Sequence, residues 1–145
     1  MGDAGSLRIL LVEDNEVDAR LTLRAFDEAG IGGCLEHVLD GEQALQRIRR
    51  DGAYADESAI DLILLDLNLP RVSGMEMLRE LKGDDSHRVI PVIVLTSSMA
   101  DEDVAEAYRA HAAAYVAKPV GSEGFVAVAE SVRDFWVKTV TRAPR

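Results

Sequence analysis

At 145 residues the chain has the size of one ordinary domain and is too short for two with separate cores. Its 48% hydrophobic and 29% charged residues describe a soluble, folded protein rather than a disordered one. A net charge of −10 repels phosphate backbones and argues against nucleic-acid binding by this chain alone.

Cys34 is the one cysteine, cannot form an internal disulfide, and is expected to be a buried structural thiol in a strand. The longest apolar runs, residues 9–12 and 90–95, are too short to cross a bilayer, and no secretory signal pattern opens the chain. A reduced, cytoplasmic setting without a membrane partner is therefore expected. The opening Met1-Gly2-Asp3-Ala4-Gly5-Ser6 fits the loose pattern for myristoylation, which is short enough to match by chance.

Short apolar runs bounded by turn residues alternate with segments of helical period, the rhythm of a parallel sheet with helical crossovers. Residues 7–12 read as the first strand. Val17, Leu21, Ala25, Phe26 and Ala29 then line one helix face, and Gly30 follows as a stop signal. Residues 34–39 make a weaker second strand. Ala44, Leu45 and Ile48 mark a short helix ending near Asp51-Gly52, and residues 51–59 form a polar loop. Residues 60–65 are nearly continuous aliphatic, as a strand covered on both faces should be.

Pro70 and Gly74 bracket the next loop, and Met75, Leu78 and Leu81 give the third helix. Residues 91–95 are the fourth strand, with Pro91 at its entry, where a missing N–H is tolerable. A fourth helix covers residues 101–110 with a thin apolar face of Val104, Ala105 and Tyr108. Residues 113–117 form a short fifth strand, and Phe125, Val128, Ala129, Val132, Phe135 and Trp136 mark a long last helix. Five such units with right-handed crossovers predict an α/β three-layer sandwich.

Polar residues interrupt this pattern at the strand ends. Glu13-Asp14 follows the first strand, Asp66 ends the third, Thr96 ends the fourth and Lys118 follows the fifth. Carboxyl ends of strands in an open parallel sheet share one edge, where ligands bind in α/β folds. With the first and third strands adjacent, three carboxylates converge in one pocket, an arrangement that protons or a cation must neutralise. Hard oxygen ligands suit Mg²⁺. Each residue also has an ordinary structural use: Asp14 or Asn15 as a helix N-cap, Thr96-Ser97-Ser98 as a cap before the fourth helix, Lys118 as a solvated loop cation. Four such polar groups in order, each on its own strand end, exceed what packing requires.

Val12-Glu13-Asp14-Asn15, Leu65-Asp66-Leu67-Asn68-Leu69-Pro70 with Gly74, Leu95-Thr96-Ser97 and Tyr115-Val116-Ala117-Lys118-Pro119 together resemble the receiver domain of two-component response regulators. The resemblance covers roughly residues 6–138. It implies residues 1–6 as a flexible N-terminus, 7–138 as the receiver and 139–145 as a tail. It further implies a flavodoxin-like, doubly wound fold with parallel strand order 2-1-3-4-5. By the same resemblance Asp66 would accept phosphate from a histidine kinase. Mg²⁺ would be held by Glu13, Asp14, Asp66 and the backbone carbonyl of Asn68. Lys118 and Thr96 would engage the phosphoryl oxygens, and Tyr115 would turn inward as a switch when Thr96 draws its loop toward the site. Lys118-Pro119 would be a cis peptide. His111 stands where the family usually has glycine and reads as a surface or capping residue, mildly strained if left-handed; His37 and His87 carry no assignment.

Five of the seven aromatic residues (Tyr108, Tyr115, Phe125, Phe135 and Trp136) fall in the last 40 positions, and Phe135 and Trp136 lie where a receiver's last helix normally ends. They either pack on the sheet or form, with Tyr108 and Tyr115, an apolar contact face for a partner or a second copy. The tail, the 51–59 loop and residues 10–21 are similar to the single-domain regulators paired with bacterial phytochrome kinases, several of which form homodimers. Competing readings are weaker. A haloacid-dehalogenase-like phosphohydrolase needs a second acid two residues after its nucleophile, where Asn68 stands. A phosphate-independent pseudo-receiver would have lost Asp66, Lys118 or an acidic ligand. In a flavodoxin, Glu13-Asp14 would repel the cofactor phosphate.

Overall fold

The computed structural model describes residues 7–141 and 143. The opening segment with its myristoylation-like pattern lies outside them, as does part of the terminal tail. Strands β1 (Ile9–Val12), β2 (Leu35–Val38), β3 (Leu62–Leu65), β4 (Val92–Thr96) and β5 (Ala114–Ala117) form one parallel sheet in the order β2-β1-β3-β4-β5. In register, Val12 stands between Val38 and Leu65, and Leu65 stands beside Val94, so the carboxyl ends of the strands reach one common edge. The three central strands are wholly buried, which is why their sequences are Ile, Leu and Val throughout, save Thr96 at the end of β4, rather than alternating.

Alternate residues of each strand feed two apolar layers. Leu10, Val12, Ile63, Leu65 and Val94 face Ala44 and Ile48 of α2 (Gly41–Arg49), Met77 and Leu81 of α3 (Gly74–Lys82) and Ala107 of α4 (Asp101–Arg109). Ile9, Leu11, Leu62, Leu64 and Ile93 face Phe26 of α1 (Glu16–Glu28) and Phe125 and Ala129 of α5 (Ser122–Ser131). Each fully buried Leu, Ile or Phe stabilises the fold by about 1.5–3 kcal/mol.

Local chemistry sets the helix starts. The Asn15 side chain accepts from the Asp18 amide, Asp40 accepts from Gln43, and Ser73 and Glu76 form a reciprocal capping box. Asn15 is thus the cap of α1 and Asp14 is left exposed. No serine or threonine caps α4; Ala100 occupies its N-cap position, and the Ser98 hydroxyl bonds the Asp103 carboxylate instead. The sequence places only Ala44, Leu45 and Ile48 on the buried face of α2, yet Arg47 is buried with them, its guanidinium Nε donating to Glu36 on β2 at 3.0 Å.

Three expectations change. Cys34 lies in a short turn (Gly32–Cys34) just before β2, half-buried beside the α1/α5 layer, because the strand begins only at Leu35. The last helix is α-helical only to Ser131. Residues Val132–Val137 form a wider turn, pinned by the Arg133 guanidinium donating to the Ala29 carbonyl at the end of α1 (3.1 Å). The Lys118–Pro119 bond is trans, as every peptide bond among the described residues is. Trans is the more stable X–Pro isomer by about 0.5–1 kcal/mol, and from it the Lys118 side chain already reaches the carboxylates described below.

His111 has φ +73° and is exposed. It follows the Ala110 cap of α4, with its own amide donating to Tyr108 and that of Ala112 to Ala107, the paired bonds of a Schellman stop. A side chain there opposes the left-handed backbone. His111→Gly is expected to raise stability by about 0.5–1 kcal/mol, seen as a higher urea midpoint at unchanged slope.

Candidate functional site

The carboxyl-end edge gathers residues from four strand ends and one helix. Asp66 follows β3 and is 4% exposed. Its Oδ1 accepts from the buried Thr96 hydroxyl at 2.9 Å and from the Asn68 amide at 3.2 Å. Its Oδ2 accepts from Lys118 Nζ at 3.0 Å. Glu13, 2% exposed, follows β1; its Oε1 lies 2.7 Å from the same Nζ and its Oε2 accepts from the Asn15 amide at 3.1 Å. One carboxylate oxygen each from Glu13, Asp14 and Asp66 lie within 4.8 Å of one another.

Burial is the main influence on Glu13; with Asp66 beside it, the carboxyl is pushed up to about 7 even though Lys118 opposes the shift. Burial would also raise Asp66, but hydrogen bonds with Glu13, Lys118 and the Asn68 amide outweigh it and hold this carboxyl below the usual range. The two adjacent buried carboxyls are thus pushed in opposite directions, Glu13 up and Asp66 down. Burial disfavours the Lys118 ammonium, yet Asp18, Glu13 and Asp66 more than offset it and raise its pKa. A buried carboxylate whose pKa is held low, beside an ammonium, a hydroxyl and an amide, suits a nucleophile for an anionic electrophile. Three oxygen donors at one point, two of them on buried side chains, fit a hard divalent cation.

Two participants carry no signal in the sequence. Asp18, in the first turn of α1, lies 2.8 Å from Lys118 Nζ through Oδ2. It reads locally as one more acid at a helix start, and only the fold brings position 118 to it. His37 on β2 donates from Nε2 to the Glu13 carbonyl at 2.7 Å, fixing the main chain that carries Glu13.

The residues of the expected contact face divide into two groups. The Tyr115 phenol donates to the Ser98 carbonyl at 2.7 Å, two residues beyond Thr96, and the Tyr115 amide donates to the Tyr108 hydroxyl at 3.1 Å. A bonded path therefore runs from Asp66 through Thr96 and its loop to the two tyrosines between α4 and β5. Phe135 and Trp136 sit beyond α5, their rings edge-to-face at 5.4 Å and 88°. Trp136 packs against the α1/α5 layer, while Phe135 is 55% exposed. Trp136 also walls a cavity of about 410 Å³ with Leu7, Ile60, Ile90 and Val140, at the opposite edge of the sheet from Asp66.

The response regulator receiver domain family matches residues 9–130, which includes every strand end of this site. The chain belongs to that family. Among curated relatives the receiver is 40% identical over 130 residues to the probable methanogenesis regulatory protein FilR2 of Methanothrix harundinacea, covering 89% of this chain and 83% of that one. It is 36% identical over 133 residues to response regulator Rcp1 of a Synechocystis strain, covering 92% and 90%. The phosphorylated cyanobacterial phytochrome response regulator RcpA superposes with a TM-score of 0.89 at 36% identity, covering 96% of this receiver and 99% of that chain. An Mn²⁺-bound structure of Rcp1 gives 0.83 at 34% identity, over 95% and 99%. The strand order and the flavodoxin-like architecture expected from the sequence are those observed. No helix among the described residues is long and apolar enough to cross a membrane.

Proposed function

We propose that this chain is a single-domain cytoplasmic response regulator whose Asp66 accepts a phosphoryl group from the phosphohistidine of a sensor kinase. The observation that carries this reading is the Asp66 carboxylate itself, buried, in contact with Thr96, Lys118 and the Asn68 amide and within reach of two more acids. In the transfer the N–P bond of the donor breaks as an O–P bond to Asp66 forms, and the Thr96 hydroxyl and Lys118 ammonium take up the phosphoryl oxygens. Mg²⁺ is the expected cation, with Glu13, Asp14, Asp66 and the Asn68 carbonyl as its protein ligands. When bound there, it would supply the positive charge that offsets repulsion between the carboxylate and the incoming phosphoryl group. The same residues would assist the later hydrolysis of the acyl phosphate.

Phosphorylation tightens the pull on Thr96, and through the 96–98 loop and Tyr115 it favours one conformer of the surface between α4 and β5. The similarity to the phytochrome response regulator RcpA supports a bacterial phytochrome as the kinase. The exposed Phe135 ring beside Trp136, together with Tyr108, supports a homodimer contact.

The test is phosphorylation by acetyl phosphate with and without Mg²⁺, read by intact mass and size-exclusion chromatography. The expected result is a Mg²⁺-dependent, base-labile gain of one phosphoryl group, absent in Asp66→Asn, with an earlier elution volume if phosphate drives assembly. Equal labelling of Asp66→Asn would refute the assignment of the acceptor.

A further inference from the structure

The Lys118 ammonium has three N–H donors and three carboxylate neighbours: Glu13 at 2.7 Å, Asp18 at 2.8 Å and Asp66 at 3.0 Å. Two of these have other work in the reading above, since Asp66 takes the phosphoryl group and both Asp66 and Glu13 belong to the acidic cluster suited to a cation. Asp18 is outside that cluster. Its side chain is one-quarter exposed, on the rim of the pocket, and its contact in the site is the ammonium. Lysine carries its charge on a flexible four-carbon stem, so where Nζ points is decided by what holds it.

We propose that Asp18 is a positioning residue for Lys118. It tethers Nζ to the first turn of α1 so that the ammonium's remaining donors face Asp66 before and after the phosphoryl group arrives. The inference rests on Asp66 being the phosphoacceptor and adds to that reading a residue acting through another. It also couples α1 to the segment after β5, across 100 positions of sequence, through one ion pair.

The geometry makes a clean test possible. The Asp18 amide is held by the Asn15 cap and the Asp18 carbonyl by the Thr22 hydroxyl; both are main-chain contacts that survive a change of side chain. Asp18→Ala and Asp18→Asn should therefore leave α1 intact. The chain has three lysines, Lys82, Lys118 and Lys138. With ¹⁵N-labelled lysine, Lys118→Arg identifies the Lys118 ammonium signal. Lys82, bonded to the carbonyls of Arg88 and Ile90, serves as an internal reference.

In Asp18→Ala the Lys118 signal is expected to shift and broaden while that of Lys82 stays in place. The rate of phosphorylation at saturating acetyl phosphate is expected to fall about tenfold with little change in half-saturation, as loss of orientation rather than of binding requires. Asp18→Asn, which keeps an acceptor without the charge, should fall between. An unchanged Lys118 signal, or an unchanged saturated rate, in Asp18→Ala would overturn the proposal. Wild-type and Asp66→Asn proteins run alongside separate the two readings. If Asp66→Asn is still labelled, the phosphoacceptor assignment fails, and with it the kinetic part. If it is not, a null result at Asp18 counts against the tether alone.

Discussion

Lys118→Ala is expected to cost this receiver about 3–5 kcal/mol of stability at mildly alkaline pH, and to slow its phosphorylation by about a hundredfold or more. Both effects have one cause. The side chain is 10% exposed and its ammonium is the cation shared by Glu13, Asp18 and Asp66. Without it two buried carboxylates face each other uncompensated. Glu13, already pushed up to about 7 by burial, would rise further, and Asp66 would lose one of the contacts that hold it low.

A carboxyl group whose pKa is raised in the folded state binds its proton more tightly there than in the unfolded chain. Its contribution to stability is present below the ordinary carboxylate pKa and is lost as pH rises through the raised value. The part of the Lys118→Ala deficit that comes from Glu13 should therefore be absent at about pH 5, so that the total deficit is smaller there and largest at about pH 8. Urea unfolding of both proteins across that range checks the slope. A deficit independent of pH would mean that the lysine stabilises the fold by packing and not by charge. The kinetic loss follows from removing a fixed donor aimed at the site where negative charge accumulates, and acetyl phosphate kinetics measure it directly.

Gly74→Ala is the second large effect. Gly74 opens α3, and its amide donates to the Leu67 carbonyl at 3.0 Å, drawing the helix start against the segment that carries the acceptor. A Cβ there would stand 2.3 Å from the Asp66 carbonyl oxygen and 2.5 Å from the Leu67 Cα. These are main-chain atoms with no rotamer to yield, so either α3 or residues 66–67 must move. Overpacking of this kind costs about 1–3 kcal/mol and occasionally more; with backbone as the obstacle the upper end is expected, about 3 kcal/mol. Because the displaced atoms belong to Asp66, phosphorylation should also slow, which a simple packing defect elsewhere would not cause. Gly33→Ala is the control: nothing lies within 4 Å of its added carbon, and its stability should match wild type within about 0.5 kcal/mol. Chemical denaturation and acetyl phosphate labelling of the two variants separate these outcomes.

Much of the receiver is legible residue by residue because its determinants are local or periodic. An unbroken aliphatic run bounded by turn residues, such as Leu62–Leu65, reads as a central strand, and the helical spacing of Ala44, Leu45 and Ile48 reads as a covered helix face. With strand order implied by the family resemblance, the meeting of Glu13, Asp14, Asp66, Thr96 and Lys118 follows from topology, since parallel strands end on one edge. The sequence by itself thus determined the alternation of strands and helices, the sheet edge where the strands end and the residues that follow each strand. It could not determine contacts whose partners are remote in sequence and whose residue types look ordinary where they stand. Asp18 is a common helix-start acid until the fold brings Lys118 to it, and Arg47 breaks the apolar face of α2 because Glu36 waits on β2. His37 gains meaning only through the Glu13 carbonyl, and the widening of the last helix at Val132–Val137 goes with an arginine reaching the end of α1. Periodicity encodes which face is buried; distances and proton positions depend on groups that the chain brings together from afar, and those only the tertiary structure decided.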